Sequence, residues 1–363
     1  MKKTLTFLFL LVSISLFGQG LNADGPYVLH VNDSTKRVIS VSTDGVISDS
    51  FTEADTFTVS EHDGRWSFDV KLHELKRPDW KRPMPEKMFI MSDPHGRMDC
   101  FVSILQAGKV IDERLGWAFG EGELFIIGDV FDRGEDVPQI FWLIYKLEDE
   151  AAKAGGRVTF VYGNHETMVL AGDYRYMKPK YKALADTLGM KYRQMWGPDT
   201  ELGRWLSTKN TMEVVGDAVF VHAGLSTELI EQGADIPTIN ETVSKGLFMT
   251  KKERNASEGL IPFMFGSDGP IWYRGLVLNK KKYNPSDTKD VKKVLSYFGV
   301  KRLFVGHTIF KNIKSTHRGL VTAVNVDNKS NMEAGRGRAL LIEKGKIYLV
   351  GDSGIMHEYK QAR

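Results

Sequence analysis

Leu124-Phe125-Ile126-Ile127-Gly128-Asp129-Val130-Phe131-Asp132-Arg133-Gly134 sets a short apolar run directly against a glycine-bounded turn that carries two aspartates and an arginine. The run is too short for a helix and apolar at every position, which reads as a strand buried on both faces. Four other segments repeat the arrangement. Met88–Met91 leads into Asp93-Pro94-His95-Gly96, Val158–Tyr162 into Gly163-Asn164-His165-Glu166, Ala218–Val221 into His222-Ala223-Gly224, and Leu303–Val305 into Gly306-His307-Thr308. Phe101–Val110 and Gln139–Lys153 have helical spacing between the earlier strands. Strand runs alternating with helices predict a layered α/β core. In such a sheet the ligand lies beyond the strand ends, so the five polar turns are expected to converge.

What would converge is a metal-binding set of carboxylates, an amide oxygen and imidazoles, with no thiolate. That donor chemistry suits Mn, Fe or Zn. A carboxylate such as Asp129 can bridge two ions through its two oxygens. Two ions about 3.5–4 Å apart clamp the attacking and leaving oxygens of an in-line displacement and lower the pKa of a shared water toward roughly 7. Arg133 and Arg274 present planar forks that match phosphate oxygens. His165 stands beside a ligand position, where its imidazolium can protonate a departing oxygen, with Asp132 as the carboxylate behind it. Glu166 reads as a hydrogen-bond partner behind the metals rather than a ligand.

These five motifs, in this order, resemble the calcineurin-like metallophosphoesterases, and within them the PPP-type phosphatases. Gly163-Asn164-His165-Glu166-Thr167-Met168-Val169-Leu170-Ala171-Gly172-Asp173-Tyr174-Arg175-Tyr176, Gly203-Arg204-Trp205-Leu206 and Gly269-Pro270-Ile271-Trp272-Tyr273-Arg274 point further, to the Shewanella-like protein phosphatases. The resemblance covers about residues 86–327. It implies an α/β fold, a four-layer αββα sandwich with the ligands on loops at one edge. It implies that Asp93, His95 and Asp129 hold one divalent metal ion and Asp129, Asn164, His222 and His307 a second. Arg133, Asn164 and Arg274 would bind phosphate, with His165 and Asp132 as the acid pair. The implied activity is hydrolysis of phosphomonoesters, of the phosphoprotein Ser/Thr or Tyr type, by a metal-bound hydroxide without a covalent intermediate. The superfamily also holds nucleotide and dinucleotide-polyphosphate hydrolases, and an extracytoplasmic binding module is the non-enzymatic alternative. Ser92 departs from the glycine common before the first aspartate. The C-terminal motif with which eukaryotic PPP enzymes bind natural toxins is not recognisable, and Val324–Ser330 matches the branch only loosely.

The rest of the chain frames this core. With 363 residues, 42% hydrophobic and 26% charged, it has the composition of a globular protein. Met1-Lys2-Lys3, the apolar run Leu5–Phe17 and the small residues Gly18 and Gly20 form the tripartite pattern of a signal peptide. The run falls short of a membrane span, which needs about 20 residues. We expect a leader over 1–20 and an exported protein, periplasmic or secreted, without stable membrane insertion. Loss of Lys2 and Lys3 with the leader would leave 47 basic residues against 46 acidic ones. That balance gives no basis for duplex nucleic-acid binding. The expected partner is a phosphorylated protein or small phosphoester.

Residues 26–75 read as short strands broken by Asn32-Asp33 and Asp44-Gly45, a small N-terminal β appendage. Residues 76–85 hold Pro78, Pro83 and Pro85 and read as a linker or surface strap. Residues 86–350 are the phosphoesterase domain, and 351–363 a tail. Residues 172–212 and 226–268 read as weakly patterned insertions of the kind that carry specificity. Tyr174, Arg175 and Tyr176 read as packing and lid structure. Cys100, the single cysteine, reads as a buried small hydrophobe. Lys280-Lys281-Lys282 reads as a solvated turn, and His30, His62, His73, His317 and His357 as surface or loop residues. Trp272 and Phe263–Phe265 fit either a substrate groove or the core.

Overall fold

The computed structural model describes residues 14–17 and 21–360, so the expected leader lies almost wholly outside the described residues. Each apolar run is a strand whose alternate side chains serve two cores. In Lys87–Met91, Met88 and Ile90 point inward with Phe125, Phe220 and Phe304. Phe89 and Met91 point the other way, among Ile104, Leu105 and Phe141 of the covering helices. Burial on both faces is why the runs are apolar throughout.

Two mixed six-stranded sheets face each other. The first has the order Arg157–Phe160, Glu123–Ile126, Lys87–Met91, Ala339–Glu343, Lys346–Val350, Met356–Glu358. The second runs Lys314–Thr316, Val321–Ala323, Arg302–Val305, Ala218–Val221, Met212–Val215, Lys81–Arg82. Phe125 of one sheet stacks on Phe220 of the other at 4.3 Å between centroids, and Phe220 on Phe304 at 4.8 Å. The helices Met98–Ala107 and Val137–Lys153 cover the first sheet; Ile236–Gly246 and Thr288–Tyr297 bury Ile239, Val243, Val291 and Val294 against the second. The result is the four-layer αββα sandwich.

Within the first sheet the strands Lys87–Met91, Glu123–Ile126 and Arg157–Phe160 run parallel. In the second, Ala218–Val221, Arg302–Val305 and Val321–Ala323 do the same. Their C-terminal ends meet at one edge, which brings the five motif turns together.

The two insertions are largely helical. Pro179–Thr187 and Glu201–Ser207 lie in the first, Thr227–Glu231, Ile236–Gly246, Lys251–Ala256 and Ile261–Met264 in the second. Thr200, Ser226, Asp235 and Thr250 cap four of these six helices, each accepting a hydrogen bond from a first-turn backbone N–H. Two segments set apart in the sequence join the sandwich: Lys81–Arg82 pairs with Met212–Val215, and Met356–Glu358 of the tail with Lys346–Val350.

The N-terminal strands form a four-stranded sheet over Ile14–Phe17, Asp24–His30, Lys36–Val41 and Val46–Thr52, and a hairpin over Thr56–Ser60 and Ser67–Lys71. This sheet is fastened to the sandwich. Trp142 Nε1 donates to Pro26 O at 2.8 Å, Tyr27 packs edge-on to Trp196, and His62 Nδ1 sits 2.9 Å from Asp136 Oδ2. Of the histidines outside the motifs, His30, His62, His73 and His317 all hold hydrogen bonds that join separate parts of the chain.

Candidate active site

The turns after three of the parallel strands, Lys87–Met91, Glu123–Ile126 and Arg302–Val305, are held in a conformation that an ordinary side chain resists. Asp93, His95, Asp129, Asp132, Arg133 and His307 all adopt positive φ, between 47° and 72°. Such positions cost of order 1–3 kcal/mol each and persist only where the surroundings over-determine them. Glu166 supplies part of that constraint. Its buried carboxylate accepts the backbone N–H groups of Asp129 at 2.9 Å, Val130 at 2.8 Å, Phe131 at 3.2 Å and Gly163 at 2.7 Å. Two glycines make the approach of the turns possible. A Cβ on Gly163 would lie 2.1 Å from Asp129 Oδ1, and one on Gly306 2.1 Å from Ser92 Oγ.

The side chains meet in one buried cluster. His222 Nδ1 must donate to Ile127 O, 2.8 Å away, because a carbonyl can only accept. In the neutral ring that leaves Nε2 as the lone-pair nitrogen, and it faces Asp129 Oδ2 at 3.1 Å, Asn164 Oδ1 at 3.1 Å and His307 Nδ1 at 3.2 Å. His95 follows the same rule: Nδ1 donates to Phe131 O at 2.8 Å, leaving Nε2 3.9 Å from both Asp93 Oδ1 and Asp129 Oδ2. Asp129 thus stands between two donor groups, one with His222 and His307, the other with His95 and His165. All these side chains are buried.

Electron-pair donors packed this closely repel unless a proton or a metal cation lies among them. Burial opposes a charge on His222, yet Asp129 and Asp93 push its pKa up to about 9. Burial and the neighbouring His222 and Arg274 hold His307 well below its ordinary value, and its Nε2 is buried with no hydrogen-bond partner. Burial pushes Asp93 up to about 7 and His95 down to about 3. The residues fit divalent metal ions.

Around the cluster lie the groups that would handle phosphate. His165 Nδ1 lies 2.5 Å from Asp132 Oδ2, and Nε2 turns toward Asp129 at 3.9 Å. Burial works against the imidazolium, but Asp129 and Asp132 raise its pKa above the ordinary value. Arg274 Nη1 donates to Thr308 Oγ1 at 3.0 Å, beside the His307 ligand position. Arg133 lies on the other side, its guanidinium 5.7 Å from the ring of Tyr176. Tyr176 is 47% exposed and lies 5.3 Å from the His165 ring. Of the packing and lid roles expected of this stretch, Tyr176 at the mouth of the site fits the lid. Tyr174 does pack, accepting Arg193 N–H at 3.0 Å.

Two further residues had no motif to announce them. Asn325 Nδ2 donates to Asp93 Oδ1 at 2.8 Å, and Asn328 Nδ2 to Asp93 O at 3.1 Å. Both come from the loosely matching stretch after His307. Arg338 extends the chain of contacts from Asn328 to Cys100 O and Asp352. Ser92 keeps the place of a small residue and adds a hydroxyl, which donates to the Asp93 carboxylate and lies 3.1 Å from Ile127 O. Cys100 is buried, its thiol pushed up to about 12 by desolvation. Trp272 and Phe265 line a cleft beside the site, whereas Met264 is core. Among the described residues no helix is long and apolar enough to cross a membrane.

Comparison with known proteins agrees with this geometry. Residues 87–309 match the calcineurin-like phosphoesterase family. Shewanella-like protein phosphatase 2 of Arabidopsis thaliana is 30% identical over 268 residues, covering 62% of this chain and 66% of that protein. Shewanella-like protein phosphatase 1 of Plasmodium berghei is 28% identical over 232 residues, covering 61% of each. The chain therefore matches somewhat under two thirds of the length of these relatives. Among solved structures, the cold-active protein-tyrosine phosphatase of a psychrophilic Shewanella species superposes with a TM-score of 0.84 at 30% identity, over 93% of this chain and 99% of that one. A match that long reaches well into the N-terminal β region. With the motif turns, the donor cluster and the whole architecture in agreement, the chain belongs to the calcineurin-like phosphoesterases and groups there with the Shewanella-like protein phosphatases.

Proposed function

We propose that this chain hydrolyses phosphomonoesters carried on proteins, tyrosyl phosphate among them. The observation that carries the reading is the placement of His165, with Asp132 2.5 Å behind it, beside the shared Asp129. Two divalent ions, of Mn, Fe or Zn, would be held by Asp93, His95 and Asp129 and by Asp129, Asn164, His222 and His307. When bound they would supply an acidified water and neutralise phosphate charge. The protein's own groups do the rest. Arg133 and Arg274 hold the non-bridging oxygens from opposite sides, which suits a terminal phosphate. Asn164, whose Oδ1 lies 3.1 Å from His222 Nε2, would add a contact from the metal side. His165 donates its Nε2 proton to the departing oxygen, and Asp132 keeps the ring oriented and charged. No covalent phosphoenzyme is required. Tyr176, exposed beside Arg133, offers a face for the aromatic ring of phosphotyrosine, and the solved Shewanella relative is described as a protein-tyrosine phosphatase.

Phosphate release should be measured on p-nitrophenyl phosphate, phosphotyrosyl and phosphoseryl peptides and diadenosine tetraphosphate, metal-free and with Mn²⁺, Fe²⁺ or Zn²⁺. The expected result is metal-dependent release from the monoesters, abolished in Asp129→Asn. Preferential cleavage of diadenosine tetraphosphate would replace this reading with a nucleotide hydrolase. We further infer export from the Met1–Gly20 pattern; N-terminal sequencing of the mature protein that began at Met1 would refute it.

A further inference from the structure

A cleft of about 650 Å³ opens beside the site and shares Arg274 and Trp272 with it. Arg274 touches Thr308, and the Trp272 ring lies 5.9 Å from that of His307, so the cleft begins where the phosphate would sit. Its volume is within the range of specific ligand sites. Aromatic side chains, Phe265, Trp272 and Tyr283, form part of its lining.

The charge of the lining is one-sided. Arg175, Lys251, Arg254, Arg274, Lys281 and Lys282 face it against only Asp173 and Asp268. Both carboxylates are engaged. Asp173 is bound by Arg175, and Asp268 accepts from Asn284 at 3.2 Å and Ser267 at 3.0 Å. Arg254 is spent on the carbonyls of Gly246, Leu247 and Thr167. That leaves Lys251, Lys281 and Lys282, all exposed. Among the described residues none of the three forms an ion pair. They come from two separate segments, the helix Lys251–Ala256 and the turn Lys281–Tyr283, that meet over one groove. A chain whose basic and acidic residues nearly balance has gathered three lysines without a carboxylate partner along this cleft, Lys282 lying over the ring of Tyr283 at 4.7 Å.

We propose that this cleft binds the peptide on one side of the phosphorylated residue and selects sequences with acidic residues there. The proposal rests on the phosphoprotein phosphatase reading above and deepens it. The aromatic lining would take the peptide's apolar atoms, while Lys251, Lys281 and Lys282 meet the flanking carboxylates. Such contacts between exposed charges are each small and are screened by salt.

The test compares kcat/KM of the full chain with Mn²⁺ on three matched phosphotyrosyl peptides flanked by glutamate, alanine or lysine, with p-nitrophenyl phosphate as the turnover control. We expect the glutamate peptide to exceed the alanine peptide about tenfold at low salt, with the ratio shrinking at 0.5 M salt and the lysine peptide poorest. In the variant Lys251→Glu/Lys281→Glu/Lys282→Glu the ratio should fall to one or invert. Lys282→Glu alone, a surface change unable to threaten the fold, should move it part of the way. Equal kcat/KM on all three peptides, with p-nitrophenyl phosphate turned over, overturns the cleft proposal and leaves the phosphatase standing. Failure to turn over any monoester overturns both.

Discussion

Asn325 reaches Asp93 across 232 positions of sequence and fixes the oxygen that faces His95. Partners behind a ligand orient it, and losing one typically costs 10–100-fold in metal affinity. Asn325→Ala should therefore weaken Mn²⁺ binding by about that factor, read by calorimetric titration; a merely structural role would lower the melting temperature and leave the affinity alone. Asp132 makes a second case. Its contact with His165 helps keep the imidazole charged, so Asp132→Asn should lower kcat by about 10²–10⁴ with little change in KM. An unchanged kcat would remove His165 from the role of acid. The contrast between the two residues explains what the sequence could reveal. Asp93, Asp129, His222 and His307 follow buried strands in glycine turns, a local pattern. Asp132 shares the turn of Asp129. Asn325 is tied to its partner only by the fold, and nothing near it in sequence marks the contact.

At the scale of elements the strands were legible because burial on both faces makes them apolar throughout. The helices of the two insertions were not, since they are short, with few buried positions each, as in Lys251–Ala256 where only Arg254 is buried. Their caps were the readable signal: Thr250-Lys251-Lys252-Glu253 forms a capping box. The N-terminal strands were visible as strands, but their attachment was not, because His62 and Asp136 belong to different sheets' surroundings and meet only in space. That attachment carries a pH dependence. The hydrogen bond to Asp136 raises the pKa of His62 above 6.5, against burial, and Glu61 and Asp63 face the same ring. A raised folded-state pKa gives stabilisation that is fully present below pH 6.5 and is lost as pH rises through the folded value. His62→Gln should therefore lower the melting temperature at pH 6 and have little effect at pH 9.5. Equal losses at both values would show that the contact works through packing alone.

Across the whole molecule the active site depends on two sheets keeping one register, since Asp93 and Asp129 follow strands of the first sheet and His222 and His307 strands of the second. The aromatic stack between the sheets can slide; an ion cluster cannot. At the end of the sandwich away from the site, Arg82 supplies that fixed point. Its Nη1 lies 2.5 Å from Glu213 Oε2 in the second sheet, while Nε donates at 3.1 Å to Glu123 Oε2 and Nη2 at 3.0 Å to Thr159 Oγ1 in the first. Glu123 and Glu213 are 3% and 0% exposed, so removal of the arginine strands two carboxylates in the interior. Breaking a buried ion cluster of this kind costs about 3–5 kcal/mol. Arg82→Met should show that loss in urea unfolding at pH 7, and adding Glu123→Gln and Glu213→Gln should recover much of it. If the proposed metal ligands are drawn from both sheets, the ion binds only the assembled sandwich, so Mn²⁺ at a hundred times its dissociation constant should return about 2.7 kcal/mol to the variant. If Arg82→Met unfolds like the parent, the stacked aromatics alone set the register, and the site owes nothing to the clasp at its far end.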